Sequence, residues 1–321
     1  MSLGKEDALP IWHELQERKT VTVVCETAIF ALVMVLSLVG NLMVCYAVRR
    51  QPRLRRPNNY FIISLALTDI SQALFTMPLS VVLLATGKWP FGTFLSRFAA
   101  ISMISLTYIS TFTMALMALN RYYKIVKPAK YQTLFTKKFI ISSASAVWAV
   151  VIVNAVVSIF AFGFPSYVHP AFAVPVIWFP MPISRPILVF NSYLPYPVII
   201  FCYWKIHRAV KMHNANVSWQ SANVEDVRVS KVLSVTVAAF LSLWLPAQTL
   251  TVVSFRVTIP RQLALFATLL IFSSSFINPF IYGFMNSTFR GEFKKCFVLW
   301  KKQSVGTESC QREAAPVESA L

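Results

Sequence analysis

Gln262–Met285 reads QLALFATLLIFSSSFINPFIYGFM, twenty-four residues without one charged side chain. As a helix rising about 1.5 Å per residue it reaches roughly 36 Å, more than the roughly 30 Å hydrocarbon core of a bilayer. Six further apolar runs precede it: Val21–Val48, Asn58–Ala85, Phe94–Val126, Phe139–Phe162, Ile187–Val210 and Val229–Phe255. In lipid a single segment satisfies its backbone only as a helix. The pattern therefore predicts an all-α membrane protein, a seven-transmembrane helix bundle. After Asn286 the pattern changes. Phe289, Phe293, Phe297 and Trp300 recur every three to four residues, with Arg290, Lys294, Lys295, Lys301 and Lys302 between them. That spacing predicts an amphipathic helix lying on the membrane surface. The chain divides into an extracellular segment 1–20, a bundle 21–285, a surface helix 286–302 and a disordered cytoplasmic tail 303–321.

Composition supports this. Of the 321 residues 56% are hydrophobic and 13% charged, against about 25% charged in soluble domains. The first 20 residues hold no apolar core, so no cleaved signal peptide is expected. The net charge is +18. With seven spans and the N-terminus outside, the inner loops, helix ends and tail carry 22 of the 30 basic residues. The outer segments carry Lys5, Arg18, Lys19, Lys88, Arg97, Arg185, Arg256 and Arg261. This asymmetry places the N-terminus outside and the C-terminus in the cytoplasm. It accounts for the charge without nucleic acid, through anionic lipid of the inner leaflet. The cysteines, Cys25, Cys45, Cys202, Cys296 and Cys310, have no metal-ligand spacing. Cys296, at the surface helix, is a candidate for lipidation.

Ionisable groups at membrane depth are costly and mark function. Asp69 lies in the second span, with Asn41, Ser110, Ser274 and Asn278 able to supply oxygens from neighbouring spans. Two readings stand: a hydrogen-bonded structural knot, or a site for a small cation such as sodium. Arg121 ends the third span in Asn120-Arg121-Tyr122. It either snorkels to the interface or pairs reversibly with an acid. Asp226, at the inner start of the sixth span, is the preferred partner over Glu225. The sixth span holds Trp244-Leu245-Pro246, a proline bend beside a bulky ring. The seventh holds Asn278-Pro279-Phe280-Ile281-Tyr282, and the fifth holds Pro195, Pro197 and Tyr203.

Taken in order, these motifs resemble those of rhodopsin-like (class A) G-protein-coupled receptors along nearly the whole chain. Gly40-Asn41, Leu65-Ala66-Leu67-Thr68-Asp69, Trp89-Pro90-Phe91-Gly92, Trp148 and Phe289 complete the set. The nearest branch resembled is that of the melatonin receptors, through Asn-Arg-Tyr, Phe201-Cys202-Tyr203 and Ile281–Arg290. The resemblance implies a sodium pocket of Asp69, Ser110, Ser274 and Asn278. It implies an inner lock of Arg121 and Asp226, with Tyr203 and Tyr282 steadying the active state. It implies coupling to a heterotrimeric G protein at the plasma membrane, and Ala129 points to the inhibitory class. Departures matter equally. Asn120 stands for aspartate, which predicts raised basal signalling, and Leu243 stands for cysteine. Ser96 stands where a disulfide cysteine is expected, and loop Gly163–Ile183 has no cysteine to pair with it. That loop is rich in proline and apolar residues, so it is expected as a lid over the pocket or as a lipid-covering segment.

The resemblance places Met103, Ile104, Thr107, Asn191, Trp244, Gln248, Thr251 and Thr268 around the ligand. Met103 stands where amine receptors carry aspartate, so an amine anchor is missing. The seventh span has no lysine, which excludes retinal; no other cofactor is expected beyond sodium. An apolar cavity with a few neutral polar groups suits a small uncharged or lipid-like ligand. The alternative is an orphan receptor that modulates partners without a ligand of its own. A transporter would need a polar path through several spans, and only Asp69 lies deep. No enzymatic dyad or metal cluster is present among the four histidines and the acids.

Overall fold

The computed structural model describes residues 9–55, 59–179, 189, 192–214 and 222–296, with backbone alone at 212–214, 222–231 and 233. The helices are α1 (Leu9–Gln16), α2 (Thr20–Arg50), α3 (Asn59–Phe75), α4 (Met77–Thr86), α5 (Thr93–Val126), α6 (Pro128–Leu134), α7 (Lys137–Phe160), α8 (Pro195–Asn214), α9 (Ala222–Val253) and α10 (Arg261–Met285). A last helix, α11, covers 287–296. Among the described residues six segments are long and apolar enough to cross a membrane: α2, α3 with α4, α5, α7, the Ser234–Val253 part of α9, and α10. The fifth expected span is α8, whose inner half carries Lys205, Arg208 and Lys211. The end bearing α1 is called outer below.

The long helices form one bundle, and their burial sorts them by position. In the most apolar window of α5, 61% of residues are buried, whereas 17% are in α7. α5 is therefore central and α7 peripheral, turning Val150 (68% exposed) and Phe160 (66%) outwards, where lipid would solvate them. Small residues permit close approach. A β-carbon on Gly40 of α2 would lie 3.0 Å from the Pro279 ring of α10. Beside it Asn41 Nδ2 donates to the Ser275 carbonyl at 2.9 Å and the Ser37 carbonyl at 2.8 Å. Trp148 Nε1 donates to Ser64 Oγ at 3.0 Å, joining α7 to α3.

Three expectations change. The second span is broken at Thr76 into α3 and α4, because Pro78 in the first turn of α4 lacks a donor. The fold is not wholly helical. Ser166–His169 (β1) and Val174–Ile177 (β2) pair antiparallel, His169 opposite Val174 and Ser166 opposite Ile177. Pro170 and Pro175 oppose a helix here, and Pro175 is tolerated in a two-stranded ribbon because an edge position needs no donor. Finally, the extracellular segment 1–20 carries structure that the sequence reading left undescribed, since α1 packs on the bundle with Leu15 1% exposed.

α11 docks on the bundle rather than resting wholly in lipid. Asn286 Oδ1 accepts from the Thr288 amide at 3.0 Å. Phe289 is 1% exposed and stacks on Tyr282 at 5.6 Å. Phe293 fits because residue 283 is glycine, where a β-carbon would lie 3.1 Å from its ring. Phe297, Trp300 and the tail lie outside the described residues.

Candidate functional site

Near the outer end lies a cavity of about 320 Å³. α5 supplies Met103, Ile104, Thr107 and Tyr108, one stripe of a helix at 3.6 residues per turn. α9 supplies Gln248, Thr251 and Val252, α10 supplies Thr268 and Ile271, and the region before α8 supplies Val189 and Ser192. The hairpin adds Tyr167, His169, Phe172 and Trp178, and α1 adds Ile11. Of the pocket residues expected from sequence, Met103, Ile104, Thr107, Gln248, Thr251 and Thr268 meet on this wall. Asn191 lies outside the described residues. Trp244 is one turn deeper than Gln248 on the same helix face; it is 1% exposed and stacks on Phe240 at 5.0 Å. Tyr108 and Ser192 were not anticipated; the hairpin lies where one of the two expectations for its loop put it, over the pocket, though its Tyr167, His169 and Phe172 were not singled out. Tyr108 was legible from the period of α5, the others only from the packing.

Among the described residues the cavity wall carries no aspartate or glutamate, and Arg256 lines it. Several of its polar groups are already engaged. Thr268 Oγ1 donates to the Phe172 carbonyl at 2.8 Å, Thr251 Oγ1 to the Ala247 carbonyl at 2.9 Å, and the Tyr108 and Ser192 hydroxyls meet at 3.0 Å. Burial pushes the His169 imidazole down to about 4, so it is neutral at physiological pH. Its ring meets Phe172 edge-on at 4.9 Å. Ser96 does what a disulfide cannot: its Oγ accepts from Trp89 Nε1 at 2.7 Å and donates to the Gly92 carbonyl at 3.2 Å.

Below the cavity Asp69, 2% exposed, accepts from Asn278 Nδ2 at 3.1 Å. Ser274 donates to the Ile271 carbonyl at 2.6 Å. Among the described residues Ser110 and Gln72 bury polar side-chain atoms without a hydrogen-bond partner, and Ser275 stands within reach of Asp69. Ser275 and Gln72 escaped sequence reading, although Gln72 lies one helical turn from Asp69. Such orphaned groups are uncommon and point to an absent water or ion. Asp69, Ser110, Ser275 and Asn278 therefore have the donor chemistry that suits a hard cation.

At the inner end Asn120 and Arg121 are 2% and 3% exposed. Among the described residues Asn120 Nδ2 has no hydrogen-bond partner. Tyr122 lies 6.0 Å from the Phe201 ring, with Lys127 Nζ 5.7 Å over it. The hydroxyls of Tyr203 and Tyr282 are buried and have no hydrogen-bond partner among the described residues. The side chains of Asp226 and Glu225 lie outside the described residues. Pro246 and Pro279 sit inside α9 and α10, where each removes a backbone hydrogen bond. Cys296 is a half-buried free thiol on α11.

Residues 40–282 match the 7 transmembrane receptor (rhodopsin family) profile. Somatostatin receptor type 5 of Rattus norvegicus is 26% identical over 292 residues, 87% of this chain and 79% of that receptor. Melatonin receptor type 1A of Mus musculus is 26% identical over 309 residues, 88% of this chain and 83% of that receptor. Galanin receptor type 1 of Homo sapiens is 28% identical over 284 residues, 84% of this chain and 80% of that receptor. These similar receptors are named for different ligands, so they select none for this one. The ordered motifs, the helix bundle and the matched profile agree: this chain belongs to the rhodopsin family of seven-transmembrane, G-protein-coupled receptors and is not an enzyme.

Proposed function

We propose that the receptor binds a small uncharged or lipid-like molecule in the outer cavity and activates a heterotrimeric G protein of the inhibitory class. It does so at the plasma membrane with its N-terminus outside. The observation that carries this is a wall on which, among the described residues, no acid stands and Arg256 is the charged side chain, while the side chains of Thr107 and Gln248 are left free to bond a ligand. A cationic amine would find no counter-charge there, whereas a neutral group could bond to the amide of Gln248.

Ligand contact with Gln248 and Thr251 bears on the outer part of α9. Trp244, stacked on Phe240 beside the Pro246 bend, passes the displacement inward. The inner end of α9 then leaves Arg121, and Tyr203 with Tyr282 fills the gap, using hydroxyls that have no hydrogen-bond partner among the described residues. A sodium ion held by Asp69, Ser110, Ser275 and Asn278 would supply a counter-charge that favours the resting arrangement.

The test is nucleotide exchange in membranes containing the full chain. The panel holds melatonin, histamine, somatostatin, galanin and neutral lipids such as monoacylglycerols. A neutral compound should act, and Gln248→Ala should weaken it by about tenfold or more, equal to about 1.4 kcal/mol. Action by histamine alone, unaffected by Gln248→Ala, overturns the reading. One observation favours a ligand-free receptor: Ala171, Phe172 and Ala173 of the hairpin turn are 1%, 7% and 0% exposed, so the chain itself fills part of the outer bundle.

A further inference from the structure

The outer end of this receptor lacks its expected disulfide, yet it is tied together by charge. α1 turns Ile11 and Leu15, four residues apart and so on one helix face, towards the bundle. Leu15 is buried against the core and Ile11 stands on the cavity wall. His13 and Gln16 are exposed, and Glu14, also partly exposed, reaches across to α10.

Two arginines fix this helix. Arg18, in the short link after it, donates through Nε to the Leu15 carbonyl at 2.7 Å and through Nη2 to the Leu84 carbonyl at 2.6 Å. Its Nη1 meets Glu26 of α2. Arg261, at the start of α10, grips the same Glu26 with two nitrogens, at 2.6 and 3.2 Å. Its Nε reaches Glu14 of α1 at 3.4 Å, and Gln262 Nε2 donates to Glu14 at 3.0 Å. The cluster thus joins α1, α2, α4 and α10 through two cations and two anions with no net charge. The side chains of Arg18 and Arg261 are 4% and 2% exposed. Desolvated guanidiniums are tolerable only while paired and hydrogen-bonded. Surface charge pairs rarely reach this burial, so the cluster is a latch rather than decoration.

We propose that α1 is a fixed wall of the ligand site which closes it towards the medium, and that Glu26 and Arg261 are positioning residues acting through Ile11. This rests on reading the cavity as the ligand site. Glu26 is the centre of the latch, because its loss leaves two buried cations side by side. Glu14 is the weaker arm, its side chain being 46% exposed.

The experiment needs no ligand. Met103→Cys is placed in the full chain with Cys25, which is exposed, changed to serine. The rate at which a membrane-impermeant cationic thiosulfonate reacts with Cys at 103 is measured on intact cells, normalised to receptor at the surface. Glu26→Gln should raise the rate about tenfold or more, and Glu26→Asp should largely restore it. Glu14→Gln should raise it about threefold. If Glu26→Gln does not reach the surface, Glu14→Gln decides. Unchanged rates in the surface-expressed variants overturn the proposal. The ligand-site reading fails separately, if Gln248→Ala leaves ligand potency unchanged while the rates rise.

Discussion

Asn278 of the seventh helix donates to the carboxylate of Asp69 on the second at 3.1 Å, inside the bundle. Among the described residues no cation pairs with Asp69. One amide hydrogen bond leaves most acceptor sites of a carboxylate unfilled. The Ser275 hydroxyl also stands within reach of the carboxylate, and among the described residues the buried Ser110 hydroxyl of α5 has no hydrogen-bond partner. Sodium should therefore lower basal nucleotide exchange by about twofold or more when it replaces choline at constant ionic strength, a shift of about 0.4 kcal/mol. Asp69→Asn should abolish the difference. An equal response in the variant removes Asp69 from the ion's site.

Asn120, next to buried Arg121, has an amide nitrogen with no hydrogen-bond partner among the described residues. A carboxylate there would accept a charge-assisted bond from the guanidinium and favour the resting state. Asn120→Asp should lower basal exchange by about threefold, or about 0.7 kcal/mol, in membranes with matched receptor amounts. Basal exchange that is unchanged or higher would show that residue 120 does not restrain Arg121.

His169 gives the outer hairpin a pH dependence of defined sign. The unfolded imidazole titrates near 6.5, and burial lowers it to about 4 in the fold. Below 6.5 the unfolded chain binds a proton that the fold refuses, so stability falls as pH drops towards 4 and is flat above 7. The full loss is at most about 3 kcal/mol. His169→Phe keeps the ring that meets Phe172 and removes the titration. The fall in melting temperature between pH 7.5 and 5 should be smaller in that variant. An identical fall in both proteins would trace the acid sensitivity elsewhere.

The spans were legible because lipid leaves a backbone one solution, so long apolar runs translate directly into helices. The Asp69–Asn278 contact was foreseen in kind, since an isolated carboxylate in an apolar run demands polar company. The stripe from Met103 to Thr107 was placed on the pocket by the family resemblance, and helical period then adds Tyr108 to it. The hairpin was not legible as strands, because four-residue strands between prolines carry too little alternation to separate from a loop. Nor did Ser275, neighbour of the anticipated Ser274, announce itself. Which of two adjacent serines stands within reach of Asp69 depends on how α10 is rotated, and Ser274 spends its hydroxyl on Ile271.

The sequence by itself determined the membrane bundle, its motifs, the missing disulfide and the absence of an amine anchor. The bundle and its motifs are properties of local composition and of residues at fixed spacing along a helix, whereas the missing disulfide and amine anchor follow from the places the family resemblance gives Ser96 and Met103. Only the tertiary structure decided what holds the outer end together. Glu14, Arg18, Glu26 and Arg261 are distant in sequence and ordinary as outer charges. Packing removes water from them together, and that desolvation turns four unremarkable residues into a latch.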